Sequence, residues 1–402
     1  MLHTRICDLL GIELPISNAG MGGVALAPLA AAVSEAGGIG TVALAGFSPE
    51  AMLAEISAAR ALTNKPLGVN LLVPFLHDGT FELLANQPID AVTLFWGDPS
   101  EMIPRAKAAG LHLVVWQCGS AAEAEAAKRA GADAIIAQGF EAGGHVRGTV
   151  TTLALIPEVR DAIGDLPMLA AGGIADGRGL AAVIALGADG AVFGTRFLAS
   201  HEAAAHPIFK RRVLTAHAAE AVHTTLFDVG WSQAPPRVIR TKVVDEWELA
   251  GCPESGKRPG EGRPIGTMRG RGIEVPLVKY TVAAPAEYIE GDLESLPFYA
   301  GESVSLVREI LPAREIVKKT PKKPAAQFPI ASPHLQNKSP DARSRECWGS
   351  PRERSAREGR AEVESSSRLQ ASGCWHPFRV PDRGTRGCQW TVRWPAPSSE
   401  FH

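Results

Sequence analysis

Residues 130–145 read Ala130-Gly131-Ala132-Asp133-Ala134-Ile135-Ile136-Ala137-Gln138-Gly139-Phe140-Glu141-Ala142-Gly143-Gly144-His145. The Ala-Gly pair at the start is typical of a helix end, because glycine readily adopts the left-handed conformation that stops a helix. The apolar run 134–137 that follows is typical of a buried strand. This strand leads into a glycine-rich loop, and glycines let the backbone lie against a flat or charged ligand. A histidine can move a proton near neutral pH, so the loop is expected to hold a planar cofactor beside a proton-transferring His145.

The same unit of helix, glycine and strand recurs along the first half of the chain. Helical stretches end before Gly37, Gly110, Gly131 and Gly187, and a strand-like run follows each glycine. Eight such runs precede residue 201, at 15–19, 39–42, 67–72, 91–95, 112–116, 134–137, 168–170 and 191–194. Alternation of strands with helices implies parallel pairing, so the sequence predicts an α/β fold of the (β/α)8 TIM-barrel type. An open doubly wound sheet is the alternative.

The pattern changes twice after the predicted barrel. We assign residues 1–200 to the barrel core and residues 201–317 to a smaller C-terminal cap that closes the same domain. Within the cap, 206–221, 287–290 and 303–311 have helical composition, 222–246 has extended runs, and 251–272 has the composition of a loop. Residues 318–402 are basic and rich in Ser, Arg and Pro without sustained periodicity, which predicts a disordered extension. An arm that binds acidic partners is the alternative for this extension.

Overall composition excludes several classes of function. Lys and Arg number 41 against 43 Asp and Glu, so the net charge gives no argument for nucleic-acid binding. We expect no membrane span, because no apolar run reaches the length of about 18 residues that a transmembrane helix needs, and the N-terminus lacks a signal-peptide pattern. The six cysteines lack the spacing of a zinc site or a disulfide framework, so we expect no metal and a reducing, cytoplasmic setting. The sequence leaves the oligomeric state open, with a homo-oligomer as one option.

The candidate site residues cluster where strands end. In barrel enzymes the ligand lies at the C-terminal ends of the strands. The candidates at these ends are Gly20, Met21, Gly22, Asn70, Gln117, Gln138, Gly143, Gly144, Gly172, Gly173, Gly194 and Thr195.

Four of these side chains have two interpretations. The amides of Asn70 and Gln138 both donate and accept hydrogen bonds, which suits the edge of a flavin ring, but each is as well suited to bond neighbouring backbone. Gln117 is a weaker candidate of the same kind. Met21 lies between glycines, where it is expected either to lie against the ring or to fill a gap in the core.

Two glycine-rich strand ends predict a phosphate site. Gly172-Gly173 and Gly194-Thr195 each precede a helix, and backbone N–H groups at such loops, reinforced by a helix N-terminus, bind phosphate. Barrels often place a phosphate site after strands seven and eight. Tight turns with a helix cap are the alternative. The chain has no GxxxxGK[ST] motif, so a nucleotide-hydrolysing P-loop is excluded.

His145 is the candidate catalytic residue. It follows two glycines on the same predicted rim as the phosphate loops, and the other histidines of residues 1–317 lack such neighbours. The region from Trp231 to Trp247 is a weaker candidate for the wall of a substrate pocket, with core packing as the favoured interpretation.

On these residues the chain resembles nitronate monooxygenases, formerly called 2-nitropropane dioxygenases. The resemblance rests on the ordered motifs at 19–22, 68–70, 138–145, 170–179 and 194–198, and it is strong over residues 12–209 and looser to residue 317. It implies a barrel with non-covalently bound FMN, held by the strand-end residues named above, and His145 as the base that removes the α-proton of a nitroalkane. A nitronate would then give one electron to FMN, and O2 would complete the oxidation.

The sequence departs from this family at two positions. Phe193 stands where the family usually has methionine, and Gln117 stands where some relatives have lysine. Related flavin enzymes include NAD(P)H:quinone reductases and FMN-dependent enoyl-[acyl carrier protein] reductases, which remain alternatives, as does a non-enzymatic flavin-binding protein. Enzymes similar to IMP dehydrogenase share the barrel but use a loop cysteine, and the Gly-Gly-His loop argues against them.

Overall fold

The first part of the chain folds into a closed barrel of parallel strands. A computed structural model describes residues 2–270 and 273–320. The barrel strands are β1 Ile16–Asn18, β2 Gly40–Ala43, β3 Leu67–Leu72, β4 Ala91–Phe95, β5 Val114–Cys118, β6 Ala134–Gln138, β8 Met168–Ala171 and β9 Gly190–Phe193; β7, Gly144–His145, lies outside the barrel sheet. They pair in the order β1-β9-β8-β6-β5-β4-β3-β2. The Ile39 N–H donates to Ile16 O at 3.0 Å and joins the two ends, which confirms the predicted (β/α)8 barrel and excludes the open sheet.

Helices connect the strands and cover the barrel. They are α1 Arg5–Leu10, α2 Ala27–Glu35, α3 Pro49–Leu62, α4 Thr80–Ala85, α5 Pro99–Ala108, α6 Ala121–Arg129, α7 Thr152–Ile163, α8 Gly177–Ala185, α9 Thr195–Leu198, α10 Pro207–Thr215, α11 Lys242–Leu249 and α12 Ala313–Lys319. The glycines predicted to follow helices have positive φ angles between 91° and 109° at positions 37, 110, 131 and 187. The repeated unit inferred from the sequence is therefore present.

Two faces of the strands bury two apolar layers. On β6, Ile135 and Ala137 pack outward with the helices, whereas Ala134 and Ile136 pack inward. This is the alternation expected of a barrel strand. The inward layer also contains apolar residues of α1, and Arg5 on this helix binds Asp189, which directly precedes β9. Helix α1 therefore covers the N-terminal end of the barrel and leaves the C-terminal ends of the strands open to a ligand.

The cap contains two small antiparallel sheets. The first contains β7 with β10 Ala221–His223 and β11 Pro236–Ile239, and the second contains β12 Pro264–Gly270, β13 Ile273–Val278 and β14 Ile289–Gly291. The helix predicted over 206–221 is divided by extended backbone at Ala216, which separates α10 from the 3-10 turn Ala218–Glu220.

Two local predictions in the cap were wrong, and a third was correct only in part. The stretch 287–290 was predicted helical, but it enters strand β14, which pairs with β12. The stretch 251–272, predicted as loop, contains β12, and its Gly266 lies so close to β14 that an added Cβ would be 2.3 Å from Glu290 O. The region 222–246 contains the expected extended runs as β10 and β11, but its end lies inside α11. In each case pairing or packing with distant residues overrides local composition.

The remaining sequence predictions have mixed outcomes. The segment 303–311 begins in the 3-10 helix Glu302–Leu306 and continues without helix to residue 311. The boundaries at 200 and 317 stay a prediction. The predicted extension 318–402 lies outside the described residues except for positions 318–320. In the described part of the chain, no helix is long and apolar enough to cross a membrane.

Candidate active site

A cavity of about 550 Å3 opens at the C-terminal ends of the barrel strands. Every residue that the sequence nominated for the site contributes to its wall. These residues are Gly20, Met21, Gly22, Asn70, Gln117, Gln138, Gly143, Gly144, His145, Gly172, Gly173, Gly194 and Thr195. The volume falls in the range of about 300–1,000 Å3 that is common for cofactor and small-molecule sites.

His145 reaches the cavity on a short strand that the cap holds in place. Strand β7 pairs antiparallel with β11, with His145 opposite Pro236 and Gly144 opposite Arg237. The Nδ1 atom of His145 lies 2.6 Å from Ala234 O. A carbonyl oxygen can only accept, so Nδ1 carries the proton, and Nε2 of the neutral ring is left with its lone pair.

A buried arginine ties the same loop to the cap. Arg237 on β11 is 4% exposed, and its guanidinium donates to Phe140 O at 2.9 Å and to Ala221 O at 2.8 Å. It also forms an ion pair of 3.2 Å with Glu302 and lies over the Phe140 ring. The orientation of His145 therefore depends on Ala234, which lies 89 positions further along the chain, and on its neighbour in the cap, Arg237.

The surroundings of His145 favour its neutral form. Burial lowers the pKa of His145 from 6.5 to about 4, and the hydrogen bond to Ala234 only partly offsets this effect. The ring lies 4.3 Å from the Trp231 ring and 5.4 Å from the Tyr299 ring, centroid to centroid. At neutral pH the histidine can accept a proton, and an anion forming beside it would raise its pKa again.

The three candidate amides are used differently. Gln138 is 5% exposed, and its amide donates to His145 O at 3.2 Å and accepts from Arg147 N at 3.4 Å. The neighbouring-backbone interpretation therefore holds for Gln138, which fastens the histidine loop to β6. Asn70 is also 5% exposed, yet its side chain bonds to no described residue, and the same is true of the partly buried Gln117. These two amides are available to a ligand.

The candidate glycines fall into two groups. Three pack against protein: an added Cβ would lie 2.3 Å from the Asn70 side chain at Gly20, 2.4 Å from Gly301 N at Gly143, and 2.9 Å from Gly139 O at Gly172. Four have room: no protein atom lies within 4 Å of an added Cβ at Gly22 or Gly144, and the nearest lie at 3.6 Å at Gly173 and Gly194. The open positions form a cradle that side chains would fill.

The predicted phosphate end of the cavity is formed by loops, and the N-terminus of helix α8 does not line it. Gly172 and Gly173 have φ angles of 100° and 72°, which a side chain would strain. The Asp176 carboxylate accepts from Arg178 N at 2.8 Å and caps α8, and residues 175–179 do not line the cavity. The helix-cap alternative therefore holds for α8, and the backbone of the glycine loop before it remains available to an anion.

Thr195 and Glu141 connect the loops around this end. The Thr195 hydroxyl accepts from Gly301 N at 2.9 Å and retains its own proton for donation. The Glu141 carboxylate accepts from the backbone N–H and the hydroxyl of Thr152, at 2.7 and 2.9 Å. Glu141 thereby joins the histidine loop to the start of α7.

An aromatic wall beside His145 was mostly missed from sequence. Trp231 lines the cavity, so the less favoured interpretation of the region 231–247 is correct for this residue, whereas Trp247 packs in the cap and donates to Pro253 O at 2.9 Å. Trp96 and Tyr299 also line the cavity. Residues from the cap such as Gly301 and Ser303 had no local signal, because tertiary packing alone brings them to the rim.

Three further observations concern Met21, Cys118 and metal binding. Met21 both lines the cavity and packs against the main core, so neither of its interpretations is excluded. Cys118 is fully buried, does not line the cavity, and has a pKa raised by burial, which makes it unsuited to act as a nucleophilic thiolate. No group of three or more His, Cys, Asp or Glu side chains among the described residues could hold a metal ion.

The cavity fits a flavin. Two unpaired amides, Asn70 in the second half of β3 and Gln117 near the end of β5, line the cavity where a ring edge could bond them, and the open glycines leave room for a flat molecule. The backbone of Gly173 and Gly194 lies at the other loops, where N–H groups can meet a phosphate. Beside this space a neutral histidine is positioned to move a proton.

Comparison with known proteins gives a consistent result. The family model described as nitronate monooxygenase matches residues 3–78 and 76–321. A Mycobacterium tuberculosis protein named (3aS,4S,5R,7aS)-5-hydroxy-7a-methyl-1-oxo-octahydro-1H-indene-4-carboxyl-CoA dehydrogenase is 39% identical over 250 residues, which cover 61% of this chain and 69% of that protein. A Staphylococcus aureus protein named "Probable nitronate monooxygenase" is 34% identical over 289 residues, and the match covers 60% of this chain and 79% of that protein.

Two solved structures share the architecture. FabK from Thermotoga maritima superimposes with a TM-score of 0.65 at 34% identity, covering 80% of this chain and 96% of that one. A nitroalkane oxidase from Streptomyces ansochromogenes superimposes with a TM-score of 0.62 at 30% identity, covering 78% of this chain and 96% of that one.

Proposed function

Because the chain belongs to the nitronate monooxygenase family, whose members are flavin-dependent oxidoreductases, we propose that it binds FMN and oxidises nitroalkanes or their nitronates with O2. The observation that carries the proposal is the placement of His145. Its Nδ1–H donates to Ala234 O, so the tautomer of the neutral ring is fixed and Nε2 is the basic nitrogen. The ring lines the cavity in which the flavin would lie.

His145 is the proposed base for the α-proton of a neutral nitroalkane. A base with a pKa of about 4 is weak in isolation, but its low pKa comes from burial. Negative charge that develops on the substrate beside the ring favours the imidazolium and raises this pKa during the transfer. Trp231 packs against the ring and keeps bulk water from that face.

The strand-end residues would hold the cofactor. We propose that Asn70 and Gln117 bond the edge of the flavin ring, while Gln138 orients the histidine loop. Backbone N–H groups at Gly172-Gly173 and Gly194-Thr195, with the Thr195 hydroxyl, would bind the phosphate. FMN, when bound, supplies the electron acceptor that links the substrate to O2.

The experiment begins with the bound cofactor. The purified protein is expected to show a flavin absorption spectrum, and mass spectrometry of the released cofactor is expected to identify FMN. O2 consumption is then measured with neutral nitroethane and with ethyl nitronate. Protein that carries flavin but consumes no O2 with either compound contradicts the proposed activity.

A second candidate function is oxidation or reduction of an acyl thioester. Two findings favour it: the 39% identity to a protein named as a carboxyl-CoA dehydrogenase, and the superposition on the enoyl reductase FabK over 96% of that chain. Anaerobic mixing separates the candidates. Bleaching of the flavin by NADH or NADPH favours a reductase of thioesters or quinones, bleaching by an acyl-CoA favours a dehydrogenase, and bleaching by nitronate alone favours the monooxygenase.

A further inference from the structure

The aromatic wall beside His145 and the charges of the cavity together define a class of substrate. Resting on the proposed function, we infer that the molecule that binds beside His145 is neutral and has a bulky alicyclic or aryl body, and that Trp96 and Trp231 select it. This differs from a preference for small nitronate anions.

The charges around the cavity disfavour an anion. Of the described residues that line it, none is a lysine, an arginine or an aspartate. Glu141 is the charged side chain among them, and it is bound to Thr152. An anion that leaves water for this space finds no opposite charge to compensate its lost hydration. The phosphate of a bound cofactor would add a further negative charge to the same cavity.

The arginine that is closest to His145 in sequence does not supply this charge. Arg147 does not line the cavity but a second pocket of about 390 Å3, where its Nε lies 2.9 Å from the Glu123 carboxylate. The Arg147 guanidinium lies 5.3 Å from the centre of the Trp96 ring. Arg147 therefore neutralises Glu123 and supports Trp96 from outside the cavity.

The wall next to the base is aromatic. The Trp231 ring lies edge-to-face with Phe75 at 5.1 Å and with Trp96 at 5.0 Å, as well as 4.3 Å from the His145 ring. Each of these four residues lines the cavity. A substrate whose acidic C–H faces His145 must place its adjoining group against these rings. An apolar ring or branched chain gains by burying surface there, and a methyl group gains little.

Trp96 is held in a strained position, which points to a role in the site. Its φ angle is 65°, which is rare for a bulky residue, and its buried Nε1–H has no hydrogen-bond partner among the described residues. Both features cost stability, and a smaller residue in this place would avoid part of that cost. Such strain is typical of functional sites. The strained conformation of Trp96 gives the cavity an indole surface.

Binding of two isosteric ligands tests the inference without catalysis. The flavin-loaded protein is titrated by calorimetry at pH 7 with cyclohexanecarboxamide, which is neutral, and with cyclohexanecarboxylate, which is an anion; acetamide reports on the apolar body. The amide is expected to bind at least about tenfold more tightly than the carboxylate, because the anion loses hydration without a counter-charge. It is also expected to bind at least about tenfold more tightly than acetamide. Equal or tighter binding of the carboxylate, or equal binding of acetamide, overturns the inference.

Variants at two tryptophans test the assignment of the wall. Trp231→Ala is expected to weaken the binding of cyclohexanecarboxamide about tenfold and to leave the binding of acetamide almost unchanged, because only the larger ligand reaches the lost ring. Trp247→Ala removes an indole in the cap and is the matched control, expected to leave both affinities unchanged. Trp231→Leu, which is expected to lower the affinity for the cyclohexane amide several-fold because it removes the aromatic ring, takes the place of the alanine variant if that variant does not retain flavin. Unchanged affinity in Trp231→Ala overturns the role of the wall.

These measurements separate the inference from the proposed function. Neither amide is a nitroalkane, so their binding does not depend on turnover. Absence of O2 consumption with any nitroalkane would remove the proposed activity but leave the ligand preference intact. Normal turnover of nitroalkanes together with tighter binding of acetamide and of the carboxylate would overturn the inference and leave the proposed function intact.

Discussion

The Nδ1 atom of His145 donates its proton to the carbonyl oxygen of Ala234, 2.6 Å away and 89 positions further along the chain. This bond joins the glycine-rich loop after β6 to the segment that leads into β11. It determines which nitrogen of the imidazole is basic. The cap therefore has a direct part in the proposed chemistry.

The pH dependence of turnover follows from the pKa of His145. The base must be deprotonated, and burial lowers its pKa from 6.5 to about 4, so it remains active well below pH 6.5. We expect kcat/KM for a neutral nitroalkane to stay constant as pH falls from 8 to about 5 and then to fall tenfold per pH unit below about pH 4. The profile is measured by O2 consumption at saturating O2. A loss centred near pH 6.5 would show that His145 is not desolvated in the working enzyme.

Arg237 is expected to matter both for stability and for turnover. Arg237→Met leaves the carbonyls of Phe140 and Ala221 and the Glu302 carboxylate without their partner. Leaving a buried acceptor without its donor typically costs about 1–3 kcal/mol, and we expect a lower Tm and a reduced kcat as β7 loosens. Arg240→Met is the control, because its ion pairs lie at the surface and are worth about 0–1 kcal/mol. Equal effects of the two variants would contradict the proposed link between Arg237 and the site.

Two asparagines separate a ligand-facing amide from a structural one. Asn70→Ala removes an amide that bonds to no described residue, so the free energy of unfolding of the apoprotein should change little while the Kd for FMN rises about tenfold. Asn18→Ala removes hydrogen bonds of 2.7 and 2.8 Å to the backbone of Thr41 and should cost about 1–3 kcal/mol of stability. Fluorescence titration with FMN and thermal unfolding of both variants check this. Unchanged FMN affinity in Asn70→Ala rules out a direct contact.

The glycines of the loop after β1 separate a ligand-facing position from a packed one in the same way. Gly22→Ala adds a methyl group to open space, so the apoprotein should keep its Tm, but the methyl group should intrude on the cofactor and weaken FMN about tenfold. Gly20→Ala drives a Cβ into the Asn70 side chain and should lower both the Tm and the FMN affinity. The same two titrations serve as the test. A Gly22→Ala protein that binds FMN as the parent does would place the cofactor elsewhere.

Much of the fold was predictable because its information is local. Each barrel strand is a short apolar run, and glycines at positions such as 131 and 187 end the preceding helices. The candidate residues were found for the same reason, since a barrel brings all strand ends to one rim. His145 and Asn70 could thus be assigned to one cavity without knowledge of their distance.

The remainder of the site depends on contacts that no local pattern encodes. A place for Trp231 in the cavity wall was not the favoured interpretation, because core packing explains a tryptophan in the cap equally well. Trp247, which packs in the cap, is an example. Strand β14 was mistaken for helix because its pairing with β12 outweighs its composition. The sequence assigns Gly143 to a ligand, and its tight approach to Gly301 gives it a packing role that only the fold reveals.

The central claim, that His145 is the base, is tested most directly by one comparison in flavin-loaded His145→Ala. The values of kcat/KM are measured with neutral nitroethane and with preformed ethyl nitronate, against the parent and against His112→Ala, an exposed histidine away from the cavity. The account predicts a fall of about 10²–10⁴ for nitroethane and a fall below about tenfold for the nitronate, whose proton is already removed. An equal fall for both substrates, or no fall for nitroethane, would contradict it.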